Sequence, residues 1–244
     1  MQSDGYFDAK IASRYDGDPA TASGSAVEPA VACLADLAGT GRALEFAIGT
    51  GRVALPLASS GVDVHGIELS QPMIDRLRAK PGGATIPVVK GDIAATRLAD
   101  SFSLVYLVFN TITNLVTQDA QIACFRNAAQ HLHPGGCFLV EVAVPPLQRL
   151  PLGETRLVFD RSDAHWGVDE FDVVTQKFTS HHVAVADGRA ERFSLPLRYV
   201  WPSELDLMAR LAGLELKARW ADFQGTPFTA VSPGHVSVWQ KPKT

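Results

Sequence analysis

Between residues 43 and 144, short apolar or β-branched runs alternate with stretches of helical period, and this alternation constrains the fold more than any other feature of the chain. A strand followed by a helix and another strand crosses over its sheet, so the strands run parallel and helices cover both faces. The candidate strands are 43–48, 63–69, 86–91, 102–109 and 137–144. Before the last of these, Ile122, Phe125, Ala129 and Leu132 recur at helical spacing, and Pro134-Gly135-Gly136 is expected to stop that helix. Ser70 reads as the N-cap of a helix opening at Gln71-Pro72-Met73, with Gly82-Gly83 at its end. Pro56 falls inside the helix expected after the first strand, which requires that helix to be short or kinked.

The flanks follow other patterns. Residues 1–41 read as two helices joined by the loop from Gly17 to Gly24. Pro145-Pro146 marks a change, after which 155–200 alternate in the manner of β-strands and contain Asp187-Gly188, a pair suited to a tight hairpin. An antiparallel insertion is expected there, then a capped helix from Ser203 to Gly213 and strands near 214–222 and 235–241. A chain of 244 residues suits one embellished domain, divided here into an N-terminal and core segment (1–150), an insertion (151–200) and a C-terminal segment (201–244).

The formal net charge is −4 with basic residues scattered, whereas nucleic-acid binders cluster theirs, so nucleic acid is not an expected partner. The longest apolar run, Leu104 to Phe109, is far below the roughly 18 residues of a membrane span. No basic patch followed by an apolar stretch opens the chain, and a cytoplasmic enzyme is expected. Cys33, Cys124 and Cys137 are widely spaced and read as buried apolar residues rather than a disulfide or zinc framework.

The chemistry gathers after the first strand, in Glu45-Phe46-Ala47-Ile48-Gly49-Thr50-Gly51-Arg52. Glycines in a strand-to-helix loop permit positive φ and let a ligand approach the backbone, so Gly51→Val is expected to abolish ligand binding in a folded protein. Gly49-Thr-Gly51-Arg-Val-Ala54 also satisfies the dinucleotide fingerprint, so the loop by itself suits a nicotinamide or an adenosylmethionine site. Glu68 closes the second strand, 19 positions after Gly49, where a carboxylate can accept hydrogen bonds from ribose hydroxyls in either case.

With these residues in place the chain resembles the class I S-adenosylmethionine-dependent methyltransferases over nearly its whole length. Glu45, Gly49 and Gly51 match the first motif, Glu68 the ribose-binding acid, Gly91-Asp92-Ile93 the adenine-contacting pair, and Pro134-Gly135-Gly136 the motif before the fifth strand. Asn110 to Gln118, His131 to Gly136, Glu141, Pro145 and Arg198 to Leu205 look like the bacterial, often actinobacterial, branch that methylates small molecules. The resemblance implies a doubly wound, mostly parallel seven-stranded Rossmann-like sheet, with an antiparallel last strand near His235 to Lys241. The insertion, added to a core that already holds every cofactor motif and rich in aromatic and histidine residues, is expected to act as a lid over the acceptor, with an oligomer interface as the rival. It implies S-adenosyl-L-methionine as cofactor, held by Tyr15, Glu45, Phe46, Ala47, Gly49, Gly51, Arg52, Glu68, Leu69, Met73, Asp92, Ile93 and Phe109. The expected partner is a small-molecule methyl acceptor, and the insertion also leaves room for a homodimer.

Methyl transfer from a sulfonium is mainly a positioning task, and a hydroxyl acceptor benefits further from a general base. Asn110, Glu141 and His182 are the catalytic candidates, with His181 beside the last; Asn110, Thr111 and Tyr199 are the substrate-side candidates. No metal is expected, since Asn110 and Asn114 after the fourth strand come without a carboxylate pair. Asn-Thr-Ile-Thr at 110–113 also lacks the Asn-Pro-Pro-Tyr pattern of adenine and glutamine N-methyltransferases. Two other readings stand beside this one: a NAD(P)-dependent oxidoreductase, whose Tyr-x-x-x-Lys pair is matched only by the misplaced Tyr6 to Lys10, and a non-catalytic nucleotide-binding protein.

Overall fold

The computed structural model describes residues 7–17, 24–186 and 189–243, so the Asp187-Gly188 turn, Tyr6 and most of the loop from Gly17 to Gly24 lie outside the described residues. Two helices, α1 (Ala9–Arg14) and α2 (Gly24–Ala38), precede β1 (Ala43–Phe46) and α3 (Ala54–Ser59). Then come β2 (Val64–Glu68), α4 (Gln71–Arg78), β3 (Val88–Lys90), β4 (Phe102–Leu107), α5 (Gln118–His131) and β5 (Leu132–Ala143). A meander of β6 (Arg156–Arg161), β7 (His165–Phe171), β8 (Lys177–Ala186) and β9 (Arg189–Arg198) leads to α6 (Pro202–Leu211), β10 (Glu215–Trp220) and β11 (Gly234–Gln240).

Seven strands form one sheet in the order β10-β11-β5-β4-β1-β2-β3. β1 to β5 pair in parallel, and β11 runs antiparallel between β5 and β10. Alternate side chains supply two apolar layers. Leu44, Phe46, Phe125, Phe138, Leu205 and Trp239 fill one, and Leu34, Leu57, Leu77, Tyr106 and Leu139 the other. Chain order reverses between β1 and β4, and the crevice beyond their carboxyl ends is where open α/β sheets bind ligands.

Local chemistry sets most element ends. Pro56 is the third residue of α3, where its missing N–H would have had no helical partner. Ser70 caps α4 by accepting from the Met73 N–H, as expected, but α4 ends at Arg78, before Pro81 and the Gly82-Gly83 pair. Ser203 is not the cap of α6: the cap is Trp201, without a side-chain bond, and Pro202 opens the helix. Leu132 continues the helical period of α5 yet is extended and pairs with Phe102, so Pro134 to Gly136 belong to a long β5 rather than a connector. Cys124 and Cys137 are buried, but Cys33 is only half-buried.

The antiparallel insertion is a separate four-stranded sheet in the order β6-β7-β8-β9. Both ends of β9 are tied down. Arg198, buried at its end, pairs with Glu204 of α6 at 2.7 Å and donates to Gln121 of α5 and to Gln176. Near its start, Glu191 pairs with Lys10 of α1.

Candidate active site

β1 stops at Phe46 because Ala47 turns into the left-handed region at φ 55°, and β4 stops at Leu107 ahead of Phe109 and Asn110 at 56° and 59°. Left-handed backbone costs a residue with a side chain about 1 to 2 kcal/mol. Such strain gathers where the fold holds a functional loop in place. These turns open a pocket lined by Tyr15, Glu45 to Thr50, Arg52, Val53, Val108, Phe109 and Thr111.

Glu68, at the end of β2, holds the glycine loop. One carboxylate oxygen accepts the Gly49 N–H and the other the Ser70 N–H, both at 2.8 Å. Burial raises its pKa against these bonds. Glu45 is buried (4% exposed) and accepts from the Tyr106 hydroxyl at 2.9 Å. Burial, with the nearby charge of Glu68, pushes the Glu45 carboxyl up to about 8, against the Tyr106 hydroxyl and the Arg52 charge. Glu45 is therefore largely protonated at neutral pH.

Tyr15 reaches the pocket because α1 is pinned to the glycine loop. Thr50 donates its hydroxyl to Asp16 at 2.6 Å, while Lys80 lies 2.9 Å from Asp16 and donates to the Thr50 carbonyl at 2.7 Å. Arg52 then spans the opening, its guanidinium 3.8 Å from the Phe109 ring centre and 5.5 Å from that of Tyr15.

Of the expected substrate and catalytic residues, Thr111 lines the pocket and donates its hydroxyl to the Val108 carbonyl. Asn110 and Glu141, expected to be catalytic, are instead engaged with backbone. The Glu141 carboxylate accepts from the N–H groups of Phe109 and Asn110, and the Asn110 side-chain oxygen accepts from the Ala143 N–H at 2.6 Å. Together they hold the left-handed pair on the end of β5. Tyr199, expected to touch substrate, is 5% exposed among Phe171, Phe178 and Trp201 and does not line the pocket. His182 lies on the four-stranded sheet, also outside the pocket lining.

The remaining expected residues continue along the sheet toward β3. Leu69 is half-buried and Met73 buried; Asp92 accepts the Ala94 N–H at 2.8 Å, and Ile93 is buried. The sequence reading missed Asn127, which donates to the carbonyls of Ile93 and Thr96, and His131, whose Nε2 accepts the Leu98 N–H at 3.0 Å. Both are polar residues on the core side of α5, and together they pin the loop after β3. For Asn127 that misplaced polarity was the sequence signal; His131 also opens the matched segment His131 to Gly136.

The two glycines divide their work. A Cβ on Gly51 (φ 77°) would lie 2.2 Å from a Leu77 methyl carbon, so Gly51 serves the packing of the loop on α4, contrary to the expectation that Gly51→Val stays folded. At Gly49 (φ 57°) a Cβ would meet nothing nearer than the Ala47 carbonyl at 3.8 Å, which leaves that backbone open to a ligand.

A methyltransferase domain family matches residues 43–136. Over 98% of this chain and 99% of the other, the structure is similar to that of the CcbJ methyltransferase from Streptomyces caelestis, at 39% identity and a TM-score of 0.88. The chain belongs to the S-adenosylmethionine-dependent methyltransferases. Within that family it is 29% identical over 199 residues, 78% of either chain, to the cypemycin N-terminal methyltransferase of a Streptomyces species. It is 34% identical over 98 residues, 40% of either chain, to the dTDP-3-amino-3,4,6-trideoxy-alpha-D-glucopyranose N,N-dimethyltransferase of Streptomyces venezuelae. These relatives are methyltransferases, which leaves the oxidoreductase and non-catalytic readings without support.

The residues of the crevice fit the family's cofactor. Open backbone at Gly49, the two buried acidic side chains of Glu45 and Glu68 and a guanidinium across the opening suit a ligand that carries ribose hydroxyls, an ammonium and a carboxylate. When bound, S-adenosylmethionine supplies a methyl group already activated on a sulfonium cation. Among the described residues no helix is long and apolar enough to cross a membrane, and no group of three His, Cys, Asp or Glu side chains is arranged to hold a metal ion.

Proposed function

We propose that the chain methylates an amine nitrogen of a small molecule or of a peptide terminus, held between the Phe109 to Thr111 turn and the four-stranded sheet. The carrying observation is the path of β9. It is anchored at one end beside the Thr111–Asn114 turn and at the other to Lys10 of α1, the two elements that also bring Thr111 and Tyr15 to the pocket wall, which supports a strand lying over the opening. The amine is supported by the two curated relatives, whose names specify a peptide N-terminus and an amino sugar.

In this reading Glu68, with Leu69 and Met73 behind it, takes the ribose, and Asp92 and Ile93 the adenine. Glu45, Phe46, Ala47, Gly49, Arg52 and Tyr15 receive the methionine end, with Gly51 shaping the loop and Phe109 bordering the methyl. The core through residue 150 binds the cofactor, 151–200 cover the acceptor as a lid, and 201–244 complete the main sheet. A cytoplasmic enzyme with a small acceptor, not nucleic acid, accords with the net charge of −4. For a homodimer, the outer face of the four-stranded sheet offers exposed Val158 and Trp166, and light scattering decides whether copies pair there.

The test is incubation with S-adenosylmethionine and three probes: a dTDP-amino sugar, a peptide with a free amino terminus and a phenol. S-adenosylhomocysteine and methylated product are read by mass spectrometry. Methylation of the amines supports the proposal, and methylation of the phenol alone, or of none, overturns it.

A further inference from the structure

The face of the four-stranded sheet that carries Glu191 carries a chain of titratable groups on neighbouring strands. His165 Nδ1 lies 2.7 Å from a carboxylate oxygen of Asp160, His165 Nε2 lies 2.9 Å from His182 Nδ1, and His182 Nε2 lies 3.0 Å from the Ser180 hydroxyl. The pairing puts His182 opposite Gly167 and Phe193, and Ser180 opposite Asp169 and Leu195. With a period of two, Ser180, His182, Glu191, Phe193 and Leu195 share one face, and Glu191 turns that face toward α1. Tyr15, at the end of α1, walls the pocket, so the face that carries these groups is turned toward the helix that brings one pocket wall into place.

The connectivity assigns the protons. Asp160 is held below the usual carboxylate range by its bonds to His165 and to the Ser162 N–H, so it is an acceptor and His165 donates from Nδ1. With both rings neutral, His165 Nε2 must accept, His182 must donate from Nδ1, and the lone pair of His182 is left on Nε2, where Ser180 donates. Ser180 also lies against the carboxylate of Asp169, which has a buried oxygen, Oδ1, without a hydrogen-bond partner. A hydroxyl has one hydrogen, so Ser180 serves His182 or Asp169. Phe193 stacks on His182 with ring centres 4.5 Å apart and an interplanar angle of 8°, and Phe159 lies edge-on at 5.3 Å, which fixes the ring plane. Phe159 fits only because residue 167 is glycine: a Cβ there would lie 2.1 Å from its ring.

We propose that His182 Nε2 takes the proton of the methyl acceptor, with His165 and Asp160 as positioning residues that stabilise the resulting cation. This rests on the amine reading above. The ammonium of the acceptor gives its proton to Nε2 while the Ser180 hydroxyl turns to the open oxygen of Asp169. The freed nitrogen lone pair forms the N–C bond, the C–S bond breaks, and its electron pair stays on sulfur as S-adenosylhomocysteine. His182 then carries both ring protons, its Nδ1–H donated to His165 Nε2 and the charge stabilised through His165 by Asp160, and once product leaves it gives the Nε2 proton to water, which restores the Nδ1–H tautomer. Among the described residues, the charged groups near the pair include Asp160, Asp169, and Glu191 with its partner Lys10.

Two measurements test this. Imidazole nitrogen NMR of the protein loaded with S-adenosylhomocysteine should show both rings as Nδ1–H tautomers at pH 8; a proton on His182 Nε2 overturns the proposal and needs no acceptor. Turnover is then read with whichever amine the wild type methylates, the amino-sugar nucleotide or the peptide. His182→Gln should lower kcat about 100-fold at pH 7 with unchanged S-adenosylhomocysteine affinity, and the deficit should narrow as pH rises and the amine deprotonates unaided. Asp160→Asn, at a partly exposed position, should move the acidic limb of kcat to lower pH and lower the plateau, and it carries the test if His182→Gln does not fold. No loss, or the same loss at every pH, overturns the proposal. If the wild type methylates no amine, the amine reading falls separately, and the tautomers still decide the proton chain.

Discussion

Glu45→Gln removes a buried acid while leaving an acceptor for the Tyr106 hydroxyl, and its effect can be worked from the fold. The carboxyl stands at about 8 in the folded chain against 4.5 without the fold. Between those values the folded state holds one more proton than the unfolded state, so stability falls as pH rises. The contribution is fully present below pH 4.5 and is gone above about pH 8. A gap of about 3.5 units at 1.36 kcal/mol each corresponds to a loss of about 5 kcal/mol across that window. Glu68, Glu141 and Asp169 are also raised by burial and slope the same way, so the difference between wild type and Glu45→Gln isolates Glu45. Urea denaturation of cofactor-free protein at pH 5, 6, 7 and 8 should give curves that meet at low pH and diverge in favour of the variant toward pH 8. Parallel stability profiles would refute the reasoning. A corollary follows for binding: a cationic methionine end should ionise Glu45, so calorimetry at pH 7 in two buffers of different ionisation enthalpy should register proton release in the wild type and less in Glu45→Gln.

Glu68→Ala should weaken S-adenosylhomocysteine binding by roughly tenfold to a hundredfold, since the ribose acceptor and the clamp on the Gly49 and Ser70 N–H groups go together; unchanged affinity in calorimetry removes that assignment. Gly51→Val should cost about 2 to 5 kcal/mol of stability through its left-handed backbone and its collision with Leu77, and a melting temperature equal to that of wild type would contradict the packing role. Arg198→Ala leaves Glu204 without its 2.7 Å partner at the root of the four-stranded sheet and should cost about 3 to 5 kcal/mol in urea denaturation; a loss below 1 kcal/mol would mean the pair is well solvated.

Alternation from 43 to 144 was enough to read a parallel sheet with crossover helices, because hydrophobic period is a local property of the chain. The glycine loop and Glu68 were legible for the same reason: each sits at a strand end, and a strand end in an open α/β sheet faces the crevice. Leu132 shows where local period stops deciding. It continues the apolar stripe of α5, yet pairing with Phe102 takes it into β5. The site depended still more on distant partners. Tyr15 enters the pocket through contacts of Asp16 with Thr50 and Lys80, and Glu141 looked like a base until the fold spent its oxygens on the backbone of Phe109 and Asn110. Glu45 is written in the sequence as an ordinary acid; only burial beside Glu68 makes it a group that titrates near 8. His165 and His182 meet because β7 and β8 pair in one register, and a slip of one residue would turn His182 to the opposite face. Period and strand-end position repeat within a few residues and survive in a one-dimensional reading, whereas protonation, pairing and register arise between residues that only the folded chain brings together.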